Sequence, residues 1–376
     1  MSVEQSPTTP EQFLTLIRQQ QRGRLKIYLG FAAGVGKTYE MLQEGQRLKR
    51  QGVDVVIGIV ETHGRPETVA QLGELEQVPR RKIEYRSVVL EEMDLDGLLV
   101  RHPSVVLVDE LAHTNAPGSR NAKRYQDIED LIRAGINVIS TLNIQHLESL
   151  YDLIEKVTGV KVKERVPDYV IGMADQLVNV DLSAEDLRER LLAGKIYPTE
   201  RINRAMENFF TQSNLTRLRE FALEEIAHRL DSRRNTLEDA PTQGSNARVM
   251  VCLSSRGPNA EKLLRKGART ADRLNAPWYA IYIETPQEDM TRIDAATQRQ
   301  IDNTLSLVSQ LGGTPFKIKG SDVVSTIVTA AQEYGITLVV MGRTERPWYR
   351  RWFGQSLLDR LLQALPDVDV FIAGKG

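Results

Sequence analysis

The chain contains 376 residues, a length typical of two or three domains. Its 49 Lys and Arg residues nearly balance its 50 Asp and Glu residues, so the formal net charge is −1. This balance excludes the basic field of a general nucleic-acid-binding protein and the acidic excess of a disordered one. Hydrophobic residues make up 41% of the chain and charged residues 26%, which is the composition of a globular protein with a sizeable core.

Three missing features narrow the class of protein further. Cys252 is the single cysteine, which excludes an internal disulfide and a metal site built from several cysteines. No run of about 18 apolar residues is present, so we expect no transmembrane segment. The N-terminus lacks the basic and apolar pattern of a secretory signal. We therefore expect a protein of a reducing compartment, with a cytoplasmic location.

The pattern of the chain changes at three places. Residues 1–24 are polar and rich in glutamine, and we interpret them as an N-terminal arm. Short apolar runs alternate with helix-length polar stretches over residues 25–230, and the same pattern resumes over residues 247–376. The polar stretch 231–246 between them contains proline and glycine and is the predicted linker. Strands rich in β-branched residues and separated by helices predict parallel sheets covered on both faces, hence an α/β fold class.

The apolar runs of the first domain mark the expected strands of one parallel sheet. These strands are predicted at Ile27–Leu29, Val53–Val60, Ile83–Tyr85, Val105–Val108 and Ile136–Ile139. Helices are predicted near 37–51, 66–73, 94–101, 124–134, 146–157, 183–195 and 199–229.

A phosphate-binding loop is predicted where the first strand ends. The sequence there reads GFAAGVGKT and leads into an amphipathic helix. Glycines let backbone N–H groups approach phosphate oxygens, the helix N-terminus and the lysine add positive charge, and the threonine hydroxyl can ligate Mg²⁺. The match to the usual pattern is imperfect because Phe31 stands in place of the first glycine, and a glycine-rich turn without a ligand is the alternative. The predicted nucleotide ligands are Gly30, Gly34, Val35, Gly36, Lys37 and Thr38.

Two carboxylates end the fourth predicted strand. Asp109 and Glu110 directly follow the apolar run Val105–Val108. In P-loop proteins such a carboxylate helps to hold Mg²⁺, and a neighbouring group can orient a water molecule. Thr38 and Asp109 are therefore the predicted metal-binding residues, and Glu110 is the predicted catalytic base. A solvated strand end is the alternative.

Polar segments also follow the other strands of the first domain. They are Glu61–Arg65, His113–Asn115 and Asn143–His146. Ligands of open parallel sheets bind beyond the carboxyl ends of the strands, so these segments are expected in one crevice. There Asn143 or Gln145 would sense a terminal phosphate and Arg65 would neutralise its charge. Each segment alone also fits a capped turn, and the histidine spacing does not fit zinc ligands on one helix.

Four motifs in one order resemble the cytoplasmic N-terminal region of the KdpD family of potassium-responsive sensor histidine kinases. The motifs are Gly30–Leu42, Val60–Arg65, Val105–Asn115 and Asn143–His146. The resemblance extends to about Arg229 and implies a P-loop NTPase-like, ATP-binding regulatory domain over residues 25–230. In it, residues 36–38 match the phosphate loop, and Asp109 and Glu110 match the second nucleotide motif.

The second domain is predicted to be a doubly wound α/β domain of five strands and about four helices, in a flavodoxin-like layout. It is similar to the universal stress protein family, whose nucleotide signature is G-x2-G-x9-G-[ST]. Gly342 fits the first glycine and Arg343 is a further predicted ligand, whereas Glu345 replaces the second glycine. The strands are predicted at Arg248–Leu253, Trp278–Ile283, Pro315–Ile318, Thr337–Met341 and Val368–Ile372.

A second ligand is suggested by the resemblance to those KdpD relatives that bind cyclic di-AMP. Their motif has the form S-x-S, twenty residues, then F-T-A-x-Y, and Ser255, Trp278 and Tyr282 stand at corresponding positions here. An aromatic ring at 278 could stack on a purine, because every base offers a π-face. A purely structural strand aromatic is the alternative.

A histidine kinase core is not recognisable in this sequence. None of the five histidines lies in the context of a phosphorylated sensor-kinase histidine. The sequence stops at Gly376, directly after the last predicted strand. We interpret the chain as a stand-alone input module without the transmembrane and kinase parts, and a shortened version of a longer protein is the alternative.

These observations favour a regulatory sensor module of potassium homeostasis that binds ATP and Mg²⁺. The expected partners are an adenine nucleotide and a separate histidine kinase, response regulator or potassium transporter, and we expect a homo-oligomer. Two alternatives stay open. One is a cyclic di-AMP receptor whose first domain is mainly a scaffold, and the other is a P-loop ATPase or kinase that acts through Glu110.

Overall fold

A computed structural model describes residues 22–237, 247–254, 259–274, 276–286, 293–342 and 357–374. Most of the predicted arm and the predicted ligands Ser255 and Arg343 lie outside the described residues. The described chain forms two compact units. The first contains the described residues up to Leu147, with Leu153–Val166 and Val170–Ile226; the second contains Glu148–Asp152, Pro167–Tyr169 and the described residues from Ala227 onward.

The strands of the first unit form a parallel sheet and a separate hairpin. They are β1 (Leu25–Gly30), β2 (Val55–Ile59), β3 (Glu76–Gln77), β4 (Arg81–Tyr85), β5 (Val88–Glu92), β6 (Val105–Val108), β7 (Asn137–Asn143) and β8 (Gln176–Val180). The parallel sheet has the order β3-β2-β6-β7-β1-β8. Because β7 lies between β1 and β6, the loop predicted to bind phosphate (residues 30–38, called the phosphate loop below) and the acidic pair end up two strands apart.

The prediction that Ile83–Tyr85 joins the parallel sheet is wrong. These residues belong to β4, which pairs antiparallel with β5 in a two-stranded sheet of its own. Of the residues in β4, only Ile83 is half-buried, and the rest are exposed. A strand this polar cannot be covered on both faces. Instead β8, which the sequence analysis did not predict, completes the sheet beside β1.

The helices from Lys37 to Leu237 match most of the predicted positions. They are α1 (Lys37–Arg50), α2 (Pro66–Ala70), α3 (Leu95–Arg101), α4 (Arg124–Arg133), α5 (Tyr151–Thr158), α6 (Asp168–Gly172), α7 (Ala184–Leu192), α8 (Thr199–Glu207) and α9 (Gln212–Leu237). The helix predicted at 199–229 is divided between α8 and α9, and Phe210 is buried between them. Helix α9 continues into the predicted linker.

Close packing places α1 against the sheet. Met41 and Leu42 on this helix are fully buried. A Cβ atom at Gly45 would lie only 2.5 Å from Leu107 Cδ1 on β6, so the missing side chain lets the helix approach the strand closely. The N-terminus of α1 is thereby fixed at the carboxyl end of the sheet.

The second unit contains the doubly wound sheet that the sequence predicts. Its strands are β9 (Val249–Leu253), β10 (Trp278–Glu284), β11 (Thr314–Lys319), β12 (Leu338–Gly342) and β13 (Asp369–Ala373), and its helices are α10 (Ala260–Arg273), α11 (Ala295–Gln310), α12 (Val323–Glu333) and α13 (Leu357–Ala364). All five strands are parallel, in the order β11-β10-β9-β12-β13. This is a 3-2-1-4-5 order, which is doubly wound as predicted but differs from the 2-1-3-4-5 order of flavodoxin itself. The switch point between β9 and β12 is flanked by Ser254 and Gly342.

Candidate functional site

A cavity of about 670 Å³ lies beyond the carboxyl ends of β1, β6 and β7 in the first unit. Its volume is within the range of small-molecule sites. Segments that the sequence placed in one crevice do meet here, because parallel strands present their carboxyl ends on one edge. The cavity is lined by residues 33–40, His63, Arg65, Glu67, Thr68, Ala70, Gln71, residues 109–113, residues 141–143, His146, Glu164, Arg190 and Lys195.

The phosphate loop runs from β1 into α1 and needs its glycines for two different reasons. Gly34 and Gly36 have φ angles of 89° and 112°, a backbone region that favours glycine. Gly30 is required by space, because a Cβ atom there would lie 2.6 Å from Val35 Cγ2 and 2.9 Å from Lys37 Cδ. The glycines therefore allow the loop to turn tightly before the helix N-terminus.

Lys37 is buried at the base of the cavity, with 8% of the residue exposed. Its ammonium donates hydrogen bonds to Ala32 O at 3.2 Å and to Asn143 Oδ1. Burial lowers the pKa of Lys37 to about 8, although the charge of Asp109 acts in the opposite direction. The geometry brings together Lys37 and Asn143, two of the predicted phosphate ligands.

Asp109 is the most buried carboxylate of the cavity, with 2% exposed. Thr38 Oγ1 donates to its Oδ2 at 3.0 Å, and the hydroxyl of Thr141 donates to its Oδ1. The backbone amides of Glu61 and Glu110 donate to it at 3.3 Å and 3.1 Å. Burial raises the pKa of Asp109, and the hydrogen bond from Thr141 counteracts this. Thr141 was not predicted; its signal was the pair of hydroxyl residues Ser140 and Thr141 between the apolar residues of β7.

Glu110 and His63 face each other at the mouth of the cavity. Glu110 Oε1 lies 3.5 Å from His63 Nε2, and their side chains are 43% and 51% exposed. Interaction with His63 lowers the pKa of Glu110, and interaction with Glu110 raises the pKa of His63. Their φ angles are 53° and 50°, a conformation that is strained for residues other than glycine. Such strain is concentrated at functional sites in proteins.

A buried ion pair supports the backbone of Asp109 from below. Arg124 is 1% exposed and donates to Glu92 Oε2 at 2.8 Å and to the carbonyl oxygen of Asp109 at 3.4 Å. His113 Nε2 lies 3.0 Å from the other oxygen of Glu92. This pair was not predicted, because nothing local in the sequence distinguishes Arg124 from a surface arginine on an amphipathic helix.

The residues Arg190–Ile196, which we call the cap segment, cover the phosphate loop. Ile196 is buried, and its Cδ1 lies 2.3 Å from the place of a Cβ atom at Gly34. Arg65 Nη2 donates to Ile196 O at 3.1 Å, so this predicted phosphate ligand also holds the cap segment. Burial lowers the pKa of Arg65. The cap segment was not predicted as part of the site.

Of the remaining predicted segments, some residues line the cavity and others do not. His113 and His146 line it together with Asn143. The amide of Asn115 donates instead to Asp127 Oδ2 at 2.7 Å and to Asn121 O at 3.0 Å, which fits the alternative of a capped turn. The Thr38 hydroxyl and the Asp109 carboxylate are the predicted metal-binding groups, and their oxygen atoms are of the kind that Mg²⁺ prefers.

In the second unit, the described candidate ligands are mostly inside the core. Trp278 is 6% exposed, and its ring atoms lie 2.5 Å from the place of a Cβ atom at Gly313. Tyr282 is 3% exposed and borders a space of about 10 Å³, which is room for one water. This burial fits the alternative of a structural strand aromatic. Gly342 is exposed at the end of β12.

Comparison with known families identifies both halves of the chain. Residues 21–230 match the model of the osmosensitive K⁺ channel His kinase sensor domain, KdpD. The chain belongs to the KdpD family. Residues 246–370 match the universal stress protein family, so the KdpD region is joined to a universal stress protein domain.

Curated KdpD relatives cover nearly all of this chain. The putative sensor protein KdpD of Synechocystis sp. is 43% identical over 358 residues, which are 95% of each chain. The sensor protein KdpD of Escherichia coli is 42% identical over 365 residues, which are 96% of this chain but 40% of that protein. Across the described residues, no helix is both long and apolar enough to span a membrane.

Solved universal stress proteins are similar to a third of the chain. The protein from Archaeoglobus fulgidus is 15% identical, with a TM-score of 0.27, and covers 34% of this chain and 92% of its own. A universal stress protein in complex with cAMP is 17% identical, with a TM-score of 0.27, and covers 35% of this chain and 98% of its own.

Proposed function

We propose that this KdpD-family chain is a regulatory sensor module of potassium homeostasis, and that it binds ATP with Mg²⁺ in the cavity of the first unit. The observation that carries the proposal is the meeting of three groups at one cavity. Lys37, Asn143 and the Thr38–Asp109 pair all line the same space of about 670 Å³. This donor set matches what a nucleoside triphosphate and its metal require.

Each part of the cavity has a separate task in this proposal. The loop amides and the N-terminus of α1 bind phosphate oxygens, and the ammonium of Lys37 adds a full positive charge. Thr38 and Asp109 hold the Mg²⁺ ion, which supplies further positive charge at the phosphates when bound. Asn143 lies at the Lys37 ammonium and is placed to sense the terminal phosphate.

The sensor role is supported by family membership. The matched family model describes a K⁺ channel His kinase sensor domain, and the relatives are named sensor proteins. The partner in this proposal is therefore a histidine kinase, a response regulator or a potassium transporter that responds to the nucleotide state of this module. The chain spans nearly all of the Synechocystis relative but only 40% of the E. coli relative. The proposed partner therefore rests on the region that this chain shares with both relatives.

The proposal is tested by ATP titration of the full chain in the presence of Mg²⁺, with heat as the readout. Lys37→Ala is expected to weaken ATP binding by about tenfold or more, since it removes a charged hydrogen-bond donor to phosphate. Lys49→Ala is the matched control, because Lys49 lies in the last turn of the same helix and does not line the cavity. Equal ATP affinity in the two variants would contradict the proposal.

Phosphoryl transfer by the same cavity is a second candidate function. It is favoured by Glu110, which directly follows Asp109, stands at the cavity mouth and has a strained backbone. A carboxylate there can accept a proton from an attacking water or hydroxyl group. Glu110→Gln is expected to lower ATP turnover by about a hundredfold while ATP affinity changes little. Turnover equal to that of the unaltered chain would exclude Glu110 as the base.

A further inference from the structure

The cap segment brings two cations to the cavity, and their surroundings differ. The ammonium of Lys195 lies 2.7 Å from Glu67 Oε1, so a carboxylate balances its charge. Arg190 Nη1 donates to Gly34 O at 3.2 Å, and within the described part of the chain Arg190 forms no ion pair. A neutral carbonyl does not balance a guanidinium charge. Glu67 also feels the charge of Arg190, but only Lys195 pairs with it directly. Arg190 is therefore the less balanced of the two cations and the more available to an anion.

The position of Arg190 points to the phosphates of a ligand. Its Nη1 lies 3.9 Å from the place of a Cβ atom at Gly36, the residue that precedes Lys37 at the N-terminus of α1. The loop amides around Gly36 are the expected phosphate ligands, so a group beside them lies along the phosphate chain. In other P-loop proteins, an arginine of the same chain can stabilise charge on the terminal phosphate.

Packing holds the cap segment at this place before any ligand binds. Leu187 and Leu191 of α7 are fully buried beneath the helix turn that carries Arg190. Ile196 rests on Gly34, and Arg65 bonds its carbonyl oxygen. A residue that is already positioned loses little conformational freedom on binding. A guanidinium also has five donors, so it can keep its contact with Gly34 while it binds an oxyanion.

We propose that Arg190 recognises the terminal phosphate of the bound nucleotide and makes the cavity prefer a nucleoside triphosphate to a diphosphate. The inference rests on the proposed function, because it requires a nucleotide at the phosphate loop. Its consequence is that the cap segment, and through it α7, reads the nucleotide state of the site. Lys195 does not share this role, since its charge is paired with Glu67.

The test compares the affinities of the full chain for ADP and for the non-hydrolysable triphosphate AMP-PNP, both with Mg²⁺. Arg190→Gln is expected to weaken AMP-PNP binding by about tenfold to a hundredfold and ADP binding by less than about twofold. Arg204→Gln is the matched control, because Arg204 is exposed on α8 and does not line the cavity; it is expected to change both affinities by less than about twofold. Arg190→Lys should restore part of the preference, because it keeps the charge but not the planar fork.

The outcomes separate this inference from the function on which it rests. If Arg190→Gln lowers the affinities for both nucleotides equally, or lowers neither affinity, the inference is overturned. The proposal that the chain binds nucleotides would still stand. If the unaltered chain binds neither nucleotide, the proposed function fails and the inference fails with it. Since Arg190 is exposed, each variant is expected to unfold at the temperature of the unaltered chain, so that a loss of affinity reports on the ligand contact.

Discussion

The hydroxyl of Thr38 lies 3.0 Å from Asp109 Oδ2 and links the phosphate loop to a strand two positions away in the sheet. The same carboxylate accepts hydrogen bonds from Thr141 and from two backbone amides. The orientation of this carboxylate is thus fixed by the fold itself. A cation bound between Thr38 and Asp109 would replace the contacts of the Thr38 hydroxyl with the carboxylate and leave the other hydrogen bonds in place.

Asp109→Asn tests this pair as the metal site. In the unaltered chain, Mg²⁺ is expected to raise the affinity for ATP by about tenfold or more. Because Asp109→Asn removes the negative charge at the metal site, this increase should be lost in the variant. The measurement is ATP titration with Mg²⁺ and with a chelator. Asp54→Asn is the control, because Asp54 pairs with Arg101 and does not line the cavity. An equal Mg²⁺ effect in all three chains would rule out Asp109 as a metal ligand.

Gly34→Ala tests the contact between the phosphate loop and the cap segment. The variant combines an unfavourable φ of 89° with a Cβ atom placed 2.3 Å from Ile196 Cδ1. We expect the free energy of unfolding to fall by about 1–3 kcal/mol, measured by chemical denaturation.

Two further variants separate the causes of that loss. Gly52 has a φ of 84° and no heavy atom within 4 Å of an added Cβ, so Gly52→Ala measures the backbone strain alone. The double variant Gly34→Ala/Ile196→Ala is expected to be about 1 kcal/mol more stable than the sum of the two single losses predicts. If the two losses in the free energy of unfolding were strictly additive, the contact between residue 34 and Ile196 would make no contribution to the destabilisation.

The pKa of Lys37 predicts how ATP binding depends on pH. In the free chain, burial places this pKa at about 8, and bound phosphate favours the charged ammonium. Titration of Lys37 should therefore leave the affinity for ATP nearly constant below pH 7. Above pH 8 the affinity should fall, and the decrease should approach about tenfold for each pH unit. Calorimetry at pH 9 in two buffers of different ionisation enthalpy should show proton uptake on binding.

Lys37→Arg is the control for that pH dependence. Arginine stays charged throughout this range, so a variant that still binds ATP should show neither the proton uptake nor the decrease in affinity above pH 8. The assignment to Lys37 would be contradicted by the same pH profile in both chains.

Trp278 is expected to act through packing. Trp278→Ala removes a ring that is 6% exposed, and it should lower the free energy of unfolding by about 3–5 kcal/mol. Phe371 on β13 of the same sheet is 37% exposed, and Phe371→Ala should cost about 1 kcal/mol. Both values are measured by denaturation of the full chain. If Trp278→Ala unfolds like Phe371→Ala and abolishes cyclic di-AMP binding, the purine-stacking role is supported instead.

The local parts of the site were predictable from the sequence, because local chemistry defines them. A strand, a glycine-bearing turn and Gly36-Lys37-Thr38 identify the loop, and the apolar run before Asp109 identifies its strand. The tertiary parts were not predictable. Arg190 contacts Gly34 from 156 positions along the chain, and Arg124 is recognisable only once Glu92 is seen to be buried beside it.

The fold shows the same division between local and non-local information. Alternating apolar runs correctly predicted both parallel sheets, but they did not determine which strand joins which sheet. Residues Ile83–Tyr85 form a hairpin because their neighbours are charged, and Gln176–Val180 was overlooked because polar residues interrupt it. In the second unit, the alternation of strands and helices predicted the α/β fold class. The order of the strands depends on the side of the sheet to which each connection returns, which the alternation does not show.

At Glu110, which has a left-handed backbone conformation, the residue that would best stabilise the fold differs from the residue that supplies a carboxylate at the cavity mouth. Glycine would relax the turn after β6, so exchange to glycine would ease the fold while removing the carboxylate from the cavity mouth. If Glu110 is the base of the proposed phosphoryl transfer, mutational screens scored for solubility and screens scored for phosphate release should rank Glu110→Gly in opposite order.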